Sequence, residues 1–300
     1  MLAEQGYASV TTQEGVMEEL VRGFGLVEGP VWDPERGLFF SDVHGGGVYR
    51  LKADESAEIV FPHRKGIGGM CLHKEGGLVV GGRNIAFKGF DDLDETHILL
   101  DRDPENDNVG YNDLTADASG RIYAGSLGSA VFDEGNVPKS GDLYLIDLDG
   151  SAQVVATDVR LTNGLAFSPD ASTLYHADSR RQCVFRYSVR RDGTLGDRDV
   201  FITTEMGAPD GMAVSEDGAV WVALAGGSGV GVYESNGSHR ETIMIPVPMC
   251  TSVCFGGDDL RDLYIVSGSD GSSGEREGGI YRYRSDVAGL PVHVARVTIH

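Results

Sequence analysis

One short pattern recurs along the whole chain, and that repeat limits it to very few architectures. A β-rich segment carrying an aromatic residue or valine appears as Leu38-Phe39-Phe40, Leu78-Val79-Val80, Ile122-Tyr123, Leu174-Tyr175, Val220-Trp221 and Leu263-Tyr264. With Phe39, Val79, Tyr123, Tyr175, Trp221 and Tyr264 as markers, the successive steps are 40, 44, 52, 46 and 43 residues. That spacing is the period of a four-stranded propeller blade. Further strand-like runs, short and rich in β-branched and aromatic residues, lie between the markers. Third strands are expected at 47–51, 142–146, 184–187, 230–233 and 280–283. Fourth strands are expected at 59–61, 97–100, 154–155, 200–202, 242–245 and 292–294. The dipeptides Asp149-Gly150, Asp192-Gly193, Asp217-Gly218 and Asn236-Gly237 supply turns between them. Helical periodicity is convincing nowhere, and the stretch 16–22 fits a short helix or an outer strand equally. The expectation is an all-β protein, a six-bladed β-propeller with four antiparallel strands per blade. It fills one domain over residues 1–300, with 1–14 a loosely ordered extension. The pattern does not say how the ring closes.

Composition narrows the partners. Forty-six acidic residues against 25 basic ones give the 300-residue chain a net charge of −21, which repels phosphate and disfavours nucleic acid and anionic membrane. The 43 glycines follow no three-residue period and read as turns. Cys71, Cys183, Cys250 and Cys254 match no zinc spacing and are too few for a disulfide scaffold, so free buried thiols are expected. The first ten residues carry neither a basic region nor an apolar run, and no stretch approaches the roughly 18 apolar residues of a membrane helix. The expected location is the cytoplasm. Outer strands of a propeller permit dimers without requiring them, so the oligomeric state is open.

The strongest functional signal comes from aligning the expected innermost strands. They begin at Glu28, Gly68, Asn112, Asn163, Asp210 and Thr251, and each start precedes its marker by 11, 11, 11, 12, 11 and 13 residues. In a propeller the innermost strand lines the central channel, so six equivalent starts form a ring around the axis. Asn and Asp are poor strand residues. Two carboxylates brought together near an axis repel one another, and burial raises the cost. A bound cation removes that conflict. Carboxylates with amide carbonyls make an all-oxygen donor set, which suits Ca²⁺, Mg²⁺ or Mn²⁺. Glycine follows Glu28, Asn163 and Asp210, where it would allow a sharp backbone turn beside the ligand. The competing reading is that these residues only cap turns at strand ends.

At this point the chain resembles the senescence marker protein 30, gluconolactonase and luciferin-regenerating enzyme family. The resemblance rests on Val27-Glu28-Gly29-Pro30-Val31-Trp32-Asp33, Tyr111-Asn112-Asp113, the run Thr162 to Asp170 beginning Thr162-Asn163-Gly164, and Ala208-Pro209-Asp210-Gly211-Met212. Tyr175-His176-Ala177-Asp178-Ser179 and Ala124-Gly125-Ser126-Leu127 are similar to further family segments, and the similarity spans about residues 25–285. It implies a six-bladed propeller with one divalent cation in the channel, Ca²⁺ foremost, with Zn²⁺, Mn²⁺ or Mg²⁺ as alternatives. It maps the metal ligands onto Glu28, Asn163 and Asp210, and a substrate-contacting position onto Asn112. Sugar-lactone members carry an arginine two residues before that Asn, where this chain has Gly110.

The reaction implied by the resemblance is hydrolysis of a lactone or related ester. A divalent cation can polarise a carbonyl, lower the pKa of water and stabilise an oxyanion. Asp210 is then the candidate general base as well as a ligand. Two alternatives stand beside this reading: a metal-dependent hydrolase of another ester or an organophosphate, and a non-enzymatic binding propeller. The acidic run Asp101 to Asp107 lacks the glycine and terminal glutamate of an EF-hand and reads as a solvated loop. His44 and His176 fall near the expected channel mouth but read as structural. No Gly-x-Ser-x-Gly elbow, His-Glu-x-x-His helix or phosphate-binding loop occurs. Substrate choice would rest on the loops 86–110, 126–141 and 267–279.

Overall fold

A computed structural model of the protein describes residues 17–62, 64–131, 137–269 and 276–300. The N-terminal extension 1–14 and parts of the loops 126–141 and 267–279 lie outside those residues. The fold is an all-β propeller. Four of its sheets are antiparallel meanders of four strands. The first is Val27–Asp33, Gly37–Asp42, Val48–Leu51 and Ala57–Phe61. The second is Met70–His73, Gly77–Val80, Ile85–Gly89 and His97–Leu100. The third is Gly110–Ala116, Ile122–Leu127, Gly141–Ile146 and Ala152–Val159. The fourth is Thr162–Phe167, Thr173–Asp178, Cys183–Val189 and Leu195–Thr203. A further sheet has eight strands. One half is Ala208–Val214, Val220–Ala225, Gly229–Tyr233 and His239–Met244. The other is Met249–Gly256, Asp262–Gly268, Gly278–Arg284 and Met17–Phe24. The halves meet at the single pair Ala225↔Met249.

Turn chemistry sets these meanders. Gly150, Gly193, Gly218 and Gly237 take φ of +87°, +85°, +86° and +88°, the left-handed region that the Asp-Gly and Asn-Gly dipeptides anticipate. The core lies between neighbouring sheets. Val31, Phe39 and Phe61 of the first sheet pack with Met70, Leu72 and Leu78 of the second. Val27 and Phe40 pack with Phe24, Cys254, Tyr264, Val266 and Ile280, which joins the first sheet to the last. All four cysteines are buried and unpaired, as expected. No helix among the described residues is long and apolar enough to cross a membrane.

Two expectations change, and one open choice is resolved. The described part of the stretch 16–22 lies in an outer strand: Met17–Phe24 pairs antiparallel with Gly278–Arg284, so the N-terminal strand closes the last meander. That occupies the outer position, and 292–294 is not a strand. The C-terminal tail instead runs under the propeller. It is pinned through Gly289 N–H to Leu260 O, Leu290 N–H to Val214 O, Ala295 N–H to Leu72 O and Arg296 N–H to Gly120 O. Ala295 and Val297 are buried in the cluster of Ile122 and Ala124, while Leu290 to His293 line a cavity of about 140 Å³ with inner-strand residues such as Val31, Leu114 and Met212. The tail therefore covers one end of the channel. Finally, Ile85–Gly89 is a strand inside the stretch expected as the loop 86–110.

Candidate functional site

The inner strands do not run smoothly past the channel. In the ladder with the second strand, the register shifts between Glu28 and Val31, Tyr111 and Leu114, Thr162 and Leu165, Pro209 and Met212, and Cys250 and Ser252. In the second sheet, pairing begins only at Met70, after Gly68-Gly69. Such a bulge lets a strand bend and re-aims a side chain. The breaks coincide with the aligned starts, and Glu28, Gly68, Asn112, Asn163, Asp210 and Thr251 all line one cavity of about 500 Å³. The poor strand propensity of Asn and Asp at these positions is thus matched by the backbone.

Hydrogen bonds fix the cavity floor. The amide of Asn112 donates to Thr162 O at 2.8 Å and to Asn163 Oδ1 at 2.5 Å. Asn163 Nδ2 donates to Ser179 Oγ at 2.7 Å, and Ser179 spends its own proton on Pro209 O at 2.6 Å. A hydroxyl that already donates can only accept, so Asn163 must present its nitrogen to Ser179 and its carbonyl oxygen to Asn112. Two aspartates hold the approaches. Asp42 accepts from Gly25 N and Leu26 N at 3.2 and 3.3 Å, and Asp178 from Arg160 N and Leu161 N at 2.8 and 3.2 Å. These bonds anchor the chain just before Glu28 and Asn163.

The charges are unfavourable as they stand. Asp210 is buried, and its Oδ1 has no hydrogen-bond partner. Burial pushes its carboxyl well above the usual range, with the charge of Asp113 adding to the effect. Burial does the same at Glu28, with further contributions from Asp210 and Asp113. A buried carboxylate oxygen without a partner, a second carboxyl and two side-chain amides line the same cavity and offer it oxygen donors. Residues of this kind fit a hard divalent cation. Glu28, Asn163 and Asp210 would hold it, with Asn112 beside them.

The other ring positions have different tasks. Thr251 donates its hydroxyl to Val27 O at 2.5 Å, tying the last sheet to the first. Gly68 leaves the space that Asn112 Oδ1 occupies, which lies 2.0 Å from where a Cβ would sit. The glycines that follow Glu28, Asn163 and Asp210 divide in two. Gly29 has φ +55°, as a sharp turn requires. Gly164 and Gly211 do not have positive φ; they are small because a Cβ would come within 2.5 Å of Asp210 O and 1.9 Å of Ser252 Oγ. The reason at those two sites is close packing of inner strands rather than a turn. His176 is fully buried, shares a 2.7 Å hydrogen bond with Thr162 Oγ1, and is held neutral by burial, with its pKa lowered to about 4. It is structural. His44 lines the cavity at its exposed rim.

Two residues escaped the sequence reading. Ser179 orients Asn163 and is separated from it by a whole hairpin, so no local motif links them. Asp113 is a third carboxyl, raised by burial to about 7, and it lines the lower cavity while Asn112 lines the upper one. The bulge between Tyr111 and Leu114 makes that division possible. The Asn-Asp pair at a strand start was the available signal, and only its first member fitted the ring.

Comparison with known proteins shows the family. The chain is 33% identical over 258 residues to 6-deoxy-6-sulfogluconolactonase from Pseudomonas putida, covering 83% of this chain and 86% of that one. It is 31% identical over 281 residues to regucalcin from Gallus gallus, covering 89% and 93%. Its fold superposes on luciferin-regenerating enzyme with a TM-score of 0.85 at 25% identity, covering 95% of this chain and all of that one. A family model described as the SMP-30/Gluconolactonase/LRE-like region matches residues 26–269, and the chain belongs to that family.

Proposed function

We propose that this protein is a divalent-cation-dependent hydrolase that opens the ring of a lactone at the floor of the upper cavity. The observation that carries the reading is the buried, unpartnered Asp210 Oδ1 beside Glu28, Asn112 and Asn163 on a single floor. The lactonase names among the relatives support the reaction class. A cation held there supplies Lewis acidity toward the ester carbonyl and a lowered pKa for water. Asp210 is proposed to take the proton from the attacking water. Asn112 keeps one amide oxygen and its position beside the ligands for orienting substrate. Calcium is the preferred metal in this reading, with regucalcin among the relatives, and Zn²⁺, Mn²⁺ and Mg²⁺ remain for the assay to rank.

Architecture enters the same proposal. We read the eight-stranded sheet as two four-stranded blades that touch at Ala225↔Met249, which makes six blades in a single domain. Six inner strands, five of them bulged near their starts, would then bring the six aligned positions to one axis. The test is hydrolysis of a lactone panel by pH-stat on chelator-stripped protein, with and without Ca²⁺, Mn²⁺ and Zn²⁺. Turnover restored by metal, and absent in a folded Asp210→Ala variant, is expected. Metal-loaded, folded protein that turns over no lactone contradicts the reading.

A further inference from the structure

Among the described residues, the cavity above the floor is lined mainly by apolar side chains. Its walls are Leu26, Val43, Leu127, Leu161 and Met249, at or beside strand ends, with Val131. Apart from the four floor residues, the polar side chains lining it among the described residues are His44, Ser179, Thr251 and Ser269. Three of those hydroxyls already donate inward to the protein, to Pro209 O, Val27 O and Gly25 O at 2.6, 2.5 and 3.0 Å. A polyhydroxylated ring placed here would turn several hydroxyls toward leucine, valine and methionine. Each hydroxyl buried without a partner opposes binding, whereas an alkyl group in the same place gains from leaving water.

Gly110 points the same way. A Cβ built there would sit 2.8 Å from Gly82 O, and that carbonyl is fixed by the N–H of Tyr111 at 2.7 Å. The backbone of the second sheet therefore occupies the space through which a side chain at this position would leave. The guanidinium that the family resemblance associates with sugar hydroxyls is missing in sequence, and a side chain at this position would require Gly82 O to shift. A volume of about 500 Å³ falls in the range of cavities that enclose whole small ligands, more than a bare five- or six-membered ring requires.

We infer that the substrate is a lactone carrying an apolar alkyl or aryl substituent, which packs on Leu26, Val43, Leu127, Leu161 and Met249 while the ester sits on the polar floor. This rests on the lactonase reading of the same site, so the test separates the two. Binding of non-hydrolysable γ-alkyl lactams of increasing chain length would be measured by calorimetry on Ca²⁺-loaded protein, beside a polyhydroxylated sugar lactam. The matching lactones would be assayed for turnover. Affinity should rise about fourfold per added methylene until the cavity is filled, and the sugar lactam should bind more weakly than the alkyl series. Leu161→Ser and, independently, Leu127→Thr should each flatten that chain-length dependence in protein whose melting shows it folded. A flat wild-type series, or preference for the sugar lactam, overturns the inference whether or not lactones are hydrolysed. A rising lactam series without turnover of any lactone upholds the inference about the wall and refutes the hydrolase reading.

Discussion

Asn112 donates its side-chain amide to Asn163 Oδ1 at 2.5 Å, across the boundary between two neighbouring sheets. The two amides are linked but have different proposed tasks: Asn163 as a ligand, Asn112 as a substrate contact. Asn163→Ala should weaken Ca²⁺ binding at least tenfold by calorimetry. Asn112→Ala should leave binding of one Ca²⁺ in place and lower kcat/KM by 10- to 100-fold, about 1.4–2.7 kcal/mol. Equal loss of Ca²⁺ affinity in both variants would make Asn112 a ligand and reject the division.

Ser179 lines the cavity and is hydrogen-bonded to Asn163 and Pro209 O. Ser179→Ala removes the acceptor that fixes the Asn163 amide, and orienting partners of metal ligands typically carry 10–100-fold in affinity. Calcium affinity should fall by about tenfold while kcat at saturating Ca²⁺ stays within about threefold of wild type. Unchanged Ca²⁺ affinity would show that Asn163 needs no such support.

The floor trades stability for cation binding. In chelator, Asp210→Asn removes one of the mutually repelling buried carboxyls, so its melting temperature should exceed that of wild type by a few degrees, on the scale of about 1 kcal/mol. Added Ca²⁺ should raise the wild-type melting temperature and leave the variant unmoved. A variant less stable than wild type in chelator, yet still stabilised by Ca²⁺, would contradict the electrostatic reading.

Asp113 gives the pH dependence. Burial raises its carboxyl from the ordinary 3.8 to about 7, so between those values the folded, cation-free protein holds a proton that the unfolded chain has released. Its contribution to stability is therefore greatest on the acid side and falls as pH rises toward 7. His176, lowered to about 4 by burial, works in the opposite direction over part of this range, but equally in wild type and variant. The stability of Asp113→Asn relative to wild type, both in chelator, should increase between pH 5 and pH 7.5. A constant or shrinking difference in calorimetric melting would show that Asp113 titrates normally.

Much of this was legible in the sequence because it repeats. The spacing from each inner-strand start to its aromatic marker located Glu28, Asn112, Asn163 and Asp210, and the same positions line one cavity in the structure. Local patterns failed where the answer depends on what lies across the ring. Whether 16–22 is helix or strand was decided by its partner at Gly278–Arg284, more than 250 residues away. The run 292–294 has strand composition, but its place on the sheet was already taken. Gly164 and Gly211 look like turn glycines after Asn163 and Asp210, and only the neighbouring strand shows that they are small for lack of room. Ser179 orients Asn163 from the far end of a hairpin, a relation no spacing rule encodes.

The most direct measurement is a parallel titration of bound Ca²⁺ and lactone turnover on the same chelator-stripped sample, for wild type and Asp210→Asn. Wild type should bind one Ca²⁺ per chain at the floor, with turnover rising in proportion to occupancy, and Asp210→Asn should lose both while remaining folded. Turnover that persists in stripped wild-type protein, or that is independent of Ca²⁺ occupancy and of Asp210, would contradict a cation-dependent site built from Glu28, Asn163 and Asp210.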